Sequence, residues 1–143
     1  MSVPEEKRRQ GKMAVVLKAQ QLAKYTNEIF ANTRKFDPIF KEILGDKIIS
    51  LGQNIFIYCK LANGIRVTKP VTNEIIPRNR IRRKEYQDKA IDQCEILEGY
   101  IDMAHDSYHM SAKRTAYWTK LTVETKMYIK KWQAADNKRY DSS

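Results

Sequence analysis

The chain has 143 residues, with 27 Lys and Arg against 17 Asp and Glu, a formal net charge of +10 and a sequence pI near 9.6. That length makes one domain over residues 1–143 with a core of its own, and it is too short for a full barrel or a two-domain dinucleotide enzyme. Five glycines with no G-x-G-x-x-G or G-x-x-x-x-G-K leave no phosphate cradle, and no apolar run exceeds five residues, far below a membrane span or a signal-peptide core.

Punctuation is sparse and falls at Lys35-Phe36-Asp37-Pro38 and between Gly64 and Pro77, so long helices fill the rest. The first is expected over about 5–34, with Val15, Ala19, Leu22, Thr26 and Ile29 stepping by four and three residues. The second, over about 39–63, follows Asp37-Pro38 as N-cap and first-turn proline. Its apolar face is Leu44, Ile48, Leu51, Ile55, Tyr58 and Ala62, and Asn63-Gly64 is the expected stop. Residues 65–77 read as the one long connection, with a brief β-ribbon as the alternative.

The third helix, over about 79–108, carries the most regular seam: Ala90, Cys94, Leu97, Ile101, Ala104 and Tyr108. A short loop around residues 109–111, with Ser111 as cap, makes the last two helices an antiparallel hairpin. The fourth helix, over about 112–138, presents Trp118, Leu121, Thr125, Tyr128, Trp132 and Ala135, and a short flexible tail follows. Seams of about 25 residues, roughly 38 Å at 1.5 Å per residue, make an all-α, antiparallel up-down four-helix bundle. Tyr117, Met127 and Ile129 lie beside the fourth seam, a wider apolar face than one bundle needs, which points to subunit contacts.

Candidate chemistry is thin. Asp102-x-x-His105-Asp106-x-x-His109 has helical ligand spacing, but a di-metal bundle needs further inward carboxylates and histidines, and these are the chain's two histidines. Both sit off the seam near a helix end, where a solvated histidine meets the helix dipole. Cys59 and Cys94 have no C-x-x-C spacing and read as small buried hydrophobes. Glu95, Glu98, Asp102 and Asp106 form an acidic stripe suited to pairing with lysines of a neighbouring helix. No enzyme, metal or cofactor is expected, and the expected location is the cytoplasm.

The cations cluster. Arg78, Arg80, Arg82, Arg83 and Lys84 stand in seven residues at the start of the third helix. Lys113, Lys120, Lys131 and Lys138 share one stripe of the fourth, with Lys126 and Lys130 on the opposite flank. Lys7, Arg8, Arg9 and Lys12 add a basic N-terminal turn. This distribution suits phosphate contacts that position a nucleic acid without reading its sequence. The aromatics interleaved on the fourth helix suit base stacking, but their seam positions fit a core better.

Three stretches carry a resemblance: LAKYTNEIFANTRKFDP (22–38), ILGDKIISLGQNIFIYCKLANGIRV (43–67) and KRTAYWTKLTVETKMYIKKWQAADNKRY (113–140). Their helix layout, the Phe-x-Pro at Phe36 to Pro38 and the Ile-x-x-Trp ending at Trp132 resemble the four-helix-bundle family of accessory variability determinant (Avd) proteins of diversity-generating retroelements. Relatives of that family are encoded in intervening sequences of ribosomal RNA genes. The resemblance implies a homopentameric barrel in the bacterial cytoplasm that binds the retroelement's reverse transcriptase and its template RNA or cDNA–RNA hybrid. It would support mutagenic cDNA synthesis without catalysing it. The alternatives are an RNA-binding bundle of the intervening-sequence type with no polymerase partner, and a structural oligomeric adaptor.

Overall fold

Asp37 starts a helix as its sequence predicts: its carboxylate accepts the Ile39 N–H at 2.8 Å, and Pro38 occupies a first-turn position that lacks nothing by lacking an N–H. The computed structural model describes residues 5–31, 37–67 and 74–140, with side chains over 14–31, 37–67 and 74–139. All regular structure among them is helical: α1 (Glu5–Ala31), α2 (Pro38–Gly64), α3 (Ile76–Asp106) and α4 (Ala112–Tyr140). The expected extension of the first helix to residue 34 lies outside the described residues.

Both ends of α3 differ from expectation, and α4 runs to Tyr140, two residues past the expected 138. Pro77, read as part of the connection, lies in the first turn of α3, so this helix begins three residues before residue 79. At its other end α3 stops at Asp106, with the Ser107 N–H bonded to Met103 O at 2.9 Å. His109 then takes a left-handed φ of 59°, and the Met110 N–H returns to Ala104 O at 3.0 Å. Tyr108 therefore packs half-buried from the turn. Ser111 caps α4 as expected, its Oγ accepting the Arg114 N–H at 3.3 Å. Of the connection, residues 65–67 and 74–75 form no strand, and residues 68–73 lie outside the described residues.

The helices pack as an antiparallel four-helix bundle in which each touches its chain neighbours and α4 closes onto α1. Direction follows from which levels meet. Thr26 faces Gly52 while Phe30 faces Gly45; Asn54 reaches Gln93 while Tyr58 stacks on Tyr86; Glu98 pairs with Lys126 while Gln87 pairs with Asp136. Lys18 pairs with Glu124 while Tyr25 meets Tyr117, so α1 and α4 are antiparallel too.

The expected seams of α1 and α3 are buried from Val15 to Ile29 and from Ala90 to Ala104, and α2 buries Ile48, Leu51, Ile55 and Ala62 with Leu44 and Tyr58 at the margin. The seam of α4 needs a correction. Tyr128 is 42% exposed and Ala135 is exposed, while Ile129 and Asp136 are buried in their places. From Thr125 the true face steps to Ile129, Trp132 and Asp136, four, three and four residues on.

Candidate nucleic-acid interface

The antiparallel order gathers the start of α3, the ends of α2 and α4 and the first turns of α1 at one end of the bundle. The α3 cluster arrives there as a helix, so its five cations point in different directions at 100° per residue. The structure divides them three ways.

Arg83 points inward. It is 3% exposed, its Nη2 donates to Asp136 Oδ1 at 3.0 Å, and its Nε lies 2.8 Å from Oδ2 as an ion pair without a hydrogen bond's alignment. Gln87 Nε2 donates to the same Oδ2 at 2.9 Å, and the guanidinium lies over the Trp132 ring at 5.0 Å. Arg83 is thus withdrawn from the surface assigned to it by sequence. Extending the α3 seam backward from Ala90 by three and seven residues reaches Gln87 and Arg83, and Asp136 is the matching step of α4. Register, not residue type, carried this signal.

Arg80 and Lys84 turn toward α4. With Val67, Pro77, Ile81, Arg83, Gln87, Asp136 and Asn137 they line a pocket of about 350 Å³. Asn79 Nδ2 donates to Arg66 O at 2.8 Å and pins the chain leaving α2 beside it, which brings Arg66, absent from the sequence expectation, into the same region.

Arg78 and Arg82 occupy the flank facing α2, since Tyr86 and Lys89 follow Arg82 by four and seven residues and Tyr86 packs on α2. There Tyr58 and Tyr86 stack with ring centroids 6.1 Å apart, and Lys89 Nζ lies 5.8 Å and 5.5 Å from the two rings. The expectation placed aromatic and cationic neighbours on the fourth helix and missed this group, which joins Tyr58 of α2 to Tyr86 and Lys89 of α3, 28 and 31 residues on.

On α4, Lys131 and Lys138 are exposed on the last turns, at the same end as the α3 cluster. Lys113 sits on the first turn at the opposite end, and Lys120, midway, faces Glu124 at 4.0 Å. The stripe is therefore divided between the ends. Lys126 is held by Glu98, with Nζ 2.9 Å and 3.0 Å from its two oxygens, the lysine pairing expected of the acidic stripe. Lys7, Arg8, Arg9 and Lys12 lie on α1 backbone at the cationic end, and their side chains lie outside the described ones. Trp118 and Trp132 are core residues. His105 is exposed with Nδ1 3.1 Å from Asp106 Oδ1, and His109 is exposed in the turn.

Among the described residues no three His, Cys, Asp or Glu side chains gather as a metal set, and no helix is long and apolar enough to cross a membrane. No family model matches the chain, and neither a curated protein nor a solved structure does.

Proposed function

We propose that this chain is a non-catalytic nucleic-acid-binding bundle, acting as an accessory subunit of a diversity-generating retroelement that holds template RNA or a cDNA–RNA hybrid beside the reverse transcriptase. The observation that carries nucleic-acid binding is the convergence of exposed cations from α3, from the end of α4 and from the chain after α2 on one end of the bundle. Neutralising phosphates there releases counterions, a favourable term that needs no base contacts. Half-buried tyrosines beside Arg82 add a surface on which an unpaired base stacks. The retroelement role and the polymerase partner rest on the resemblance of residues 22–38, 43–67 and 113–140.

Self-association belongs to the same reading. Tyr117, Met127 and Tyr128 leave large apolar surface exposed along α4, and Leu17 does so on α1. Covering such surface in a homopentameric ring removes it from water. Native mass of the purified protein tests this: a species of five chains supports the ring, and a monomer of 16.8 kDa removes it.

Binding is tested with a labelled RNA over a salt series. Replacing Arg78, Arg82 and Lys84 by Glu, sparing the buried Arg83, is expected to abolish binding at moderate salt with helicity unchanged. Replacing Lys113 and Lys120 by Glu, both away from that end, leaves most of the affinity. Undiminished affinity of the first variant excludes the cationic end. Co-expressed reverse transcriptase that fails to co-purify, with RNA binding intact, favours the bundle without a polymerase partner.

A further inference from the structure

A groove between α2 and α3 leads away from the cationic end, and its chemistry changes level by level. Arg78 and Arg82 stand at its mouth, both exposed, and neither side chain has an ion pair or hydrogen bond among the described residues. One turn on, Tyr86 stacks on Tyr58, and the exposed Lys89 holds its ammonium over both rings. Next, the Asn54 and Gln93 amides meet at 3.5 Å, too long for a strong hydrogen bond. The groove then opens into a pocket of about 360 Å³, where Leu51, Ile96 and Tyr100 give apolar walls. Among its lining residues the one carboxylate, Asp46, stands beside Lys47, so this pocket carries no net charge.

Arg82, Tyr86, Lys89, Gln93, Ile96 and Tyr100 follow one another by four and three residues, so a single flank of α3 supplies one side of the groove. From Arg78 to Tyr100 it spans roughly 33 Å at 1.5 Å per residue. The crest of α3 beside this flank is acidic: Glu85, Asp88, Asp92 and Glu95 are exposed, and Asp88 leans toward α4, where Gln133 donates to it at 2.6 Å. A polyanion is drawn to the arginines and repelled from the crest, so its way down α3 is the α2 side.

The groove offers contacts that suit an unpaired strand and not a duplex. Tyrosine faces stack on any base, the loosely paired amides meet base edges, and a neutral apolar pocket takes a base rather than a phosphate. A duplex keeps its base faces stacked inside and leaves the ring faces and the pocket without a partner. Lys89 holds the place of a base over the tyrosines, but an exposed cation–π contact is weaker than a base–aromatic stack, so the ammonium gives way and turns to a phosphate.

We propose that this groove binds a single-stranded nucleic acid, with phosphates on Arg78 and Arg82, one base on Tyr58 and Tyr86 and another in the pocket of Leu51, Ile96 and Tyr100. This path rests on the nucleic-acid reading above and adds to it the form of the strand, unpaired, and its course away from the cationic end.

The test is a titration of the full chain with a short oligouridylate and with its duplex with oligoadenylate, followed by fluorescence anisotropy and amide chemical shifts. Expected is binding of the single strand about tenfold tighter than of the duplex, with shifts grouped at Asn54, Tyr58, Tyr86, Lys89 and Ile96. Tyr86→Leu is expected to remove that margin without changing duplex affinity, and Tyr86→Phe, which keeps the ring face, to retain it. Ile96 is exposed, so Ile96→Asp is expected to fold as the parent does and to weaken single-strand binding. Asn27→Asp, the same charge change on α1, diagonal to α3 in the bundle, is expected to leave it unchanged. If Tyr86→Leu does not fold, the parent's own strand preference and shifts decide the matter. Equal affinity for single strand and duplex, or groove amides that do not move, overturns the groove and leaves the cationic end standing. Shifts there that follow protein concentration without nucleic acid give the groove to a second copy and likewise overturn it. Binding of neither form removes the nucleic-acid reading itself, and the groove with it.

Discussion

Trp118 donates its indole N–H to Thr26 Oγ1 at 3.1 Å, joining α4 to α1 across 92 residues of sequence, and the Thr26 hydroxyl in turn donates a hydrogen bond to Leu22 O at 2.8 Å. Both side chains are fully buried, so the indole N–H depends on the Thr26 hydroxyl for its partner. Thr26→Val keeps the shape and strands the indole N–H, and it is expected to cost about 1–3 kcal/mol in urea unfolding. Trp118→Phe in that background is expected to cost less than it does alone, because the stranded donor is gone. Additive losses would show that the bond contributes nothing.

Gly52 lies against the same threonine. A Cβ built there meets Thr26 Cβ at 3.3 Å, an atom fixed to the backbone that cannot swing aside. Gly52→Ala is expected to destabilise by about 1–3 kcal/mol through overpacking, more than the gain of about 1 kcal/mol in helix propensity. At Gly99, inside α3, a Cβ meets nothing within 4 Å. Gly99→Ala is expected to stabilise by about 0.5–1 kcal/mol. Thermal melts moving in opposite directions are the check.

Breaking the Arg83–Asp136 pair leaves a carboxylate buried without its counter-charge. Arg83→Met is expected to cost about 3–5 kcal/mol, while the triple change Arg83→Met, Gln87→Leu and Asp136→Leu recovers most of it. Denaturant midpoints of the two variants separate a pair that stabilises from one that sets register.

Cys59 and Cys94 are fully buried between α2 and α3. Burial pushes the Cys59 thiol up from 9.0 to about 12, and burial raises Cys94 as well. Neither is expected to react with a disulfide reagent at pH 8 in the native protein, and both react once it is unfolded. The unfolded thiols ionise near 9.0 while the native ones stay protonated, so between those values the native state binds more protons. Their contribution to stability is therefore complete below about pH 9 and falls as pH rises toward 12. Replacing both by Ala is expected to flatten that part of the pH–stability curve.

How far the residues could be read depends on where each one's partner lies. The seams of α1 and α3 repeat within their own segments, and Asp37 and Ser111 act on N–H groups two and three residues away. The face of α4 was ambiguous after Thr125, because Tyr128 and Ile129 both continue the alternation of three and four. What selects Ile129 is a facing helix, where Arg83 and Gln87 await Asp136. Residue type argued the other way, as it did in assigning Arg83 to the surface.

The sequence by itself determined the number of helices, the Asp37 and Ser111 caps and most of the buried faces, since a helix's hydrogen bonds and its 3.6-residue period are local. It also determined the excess of positive charge. Which cations face solvent, which one anchors α3 to α4 and how Tyr58, Tyr86 and Lys89 come together was decided only when the helices packed. The contacts between helices among these join residues 28 to 53 positions apart, and their geometry follows from antiparallel register.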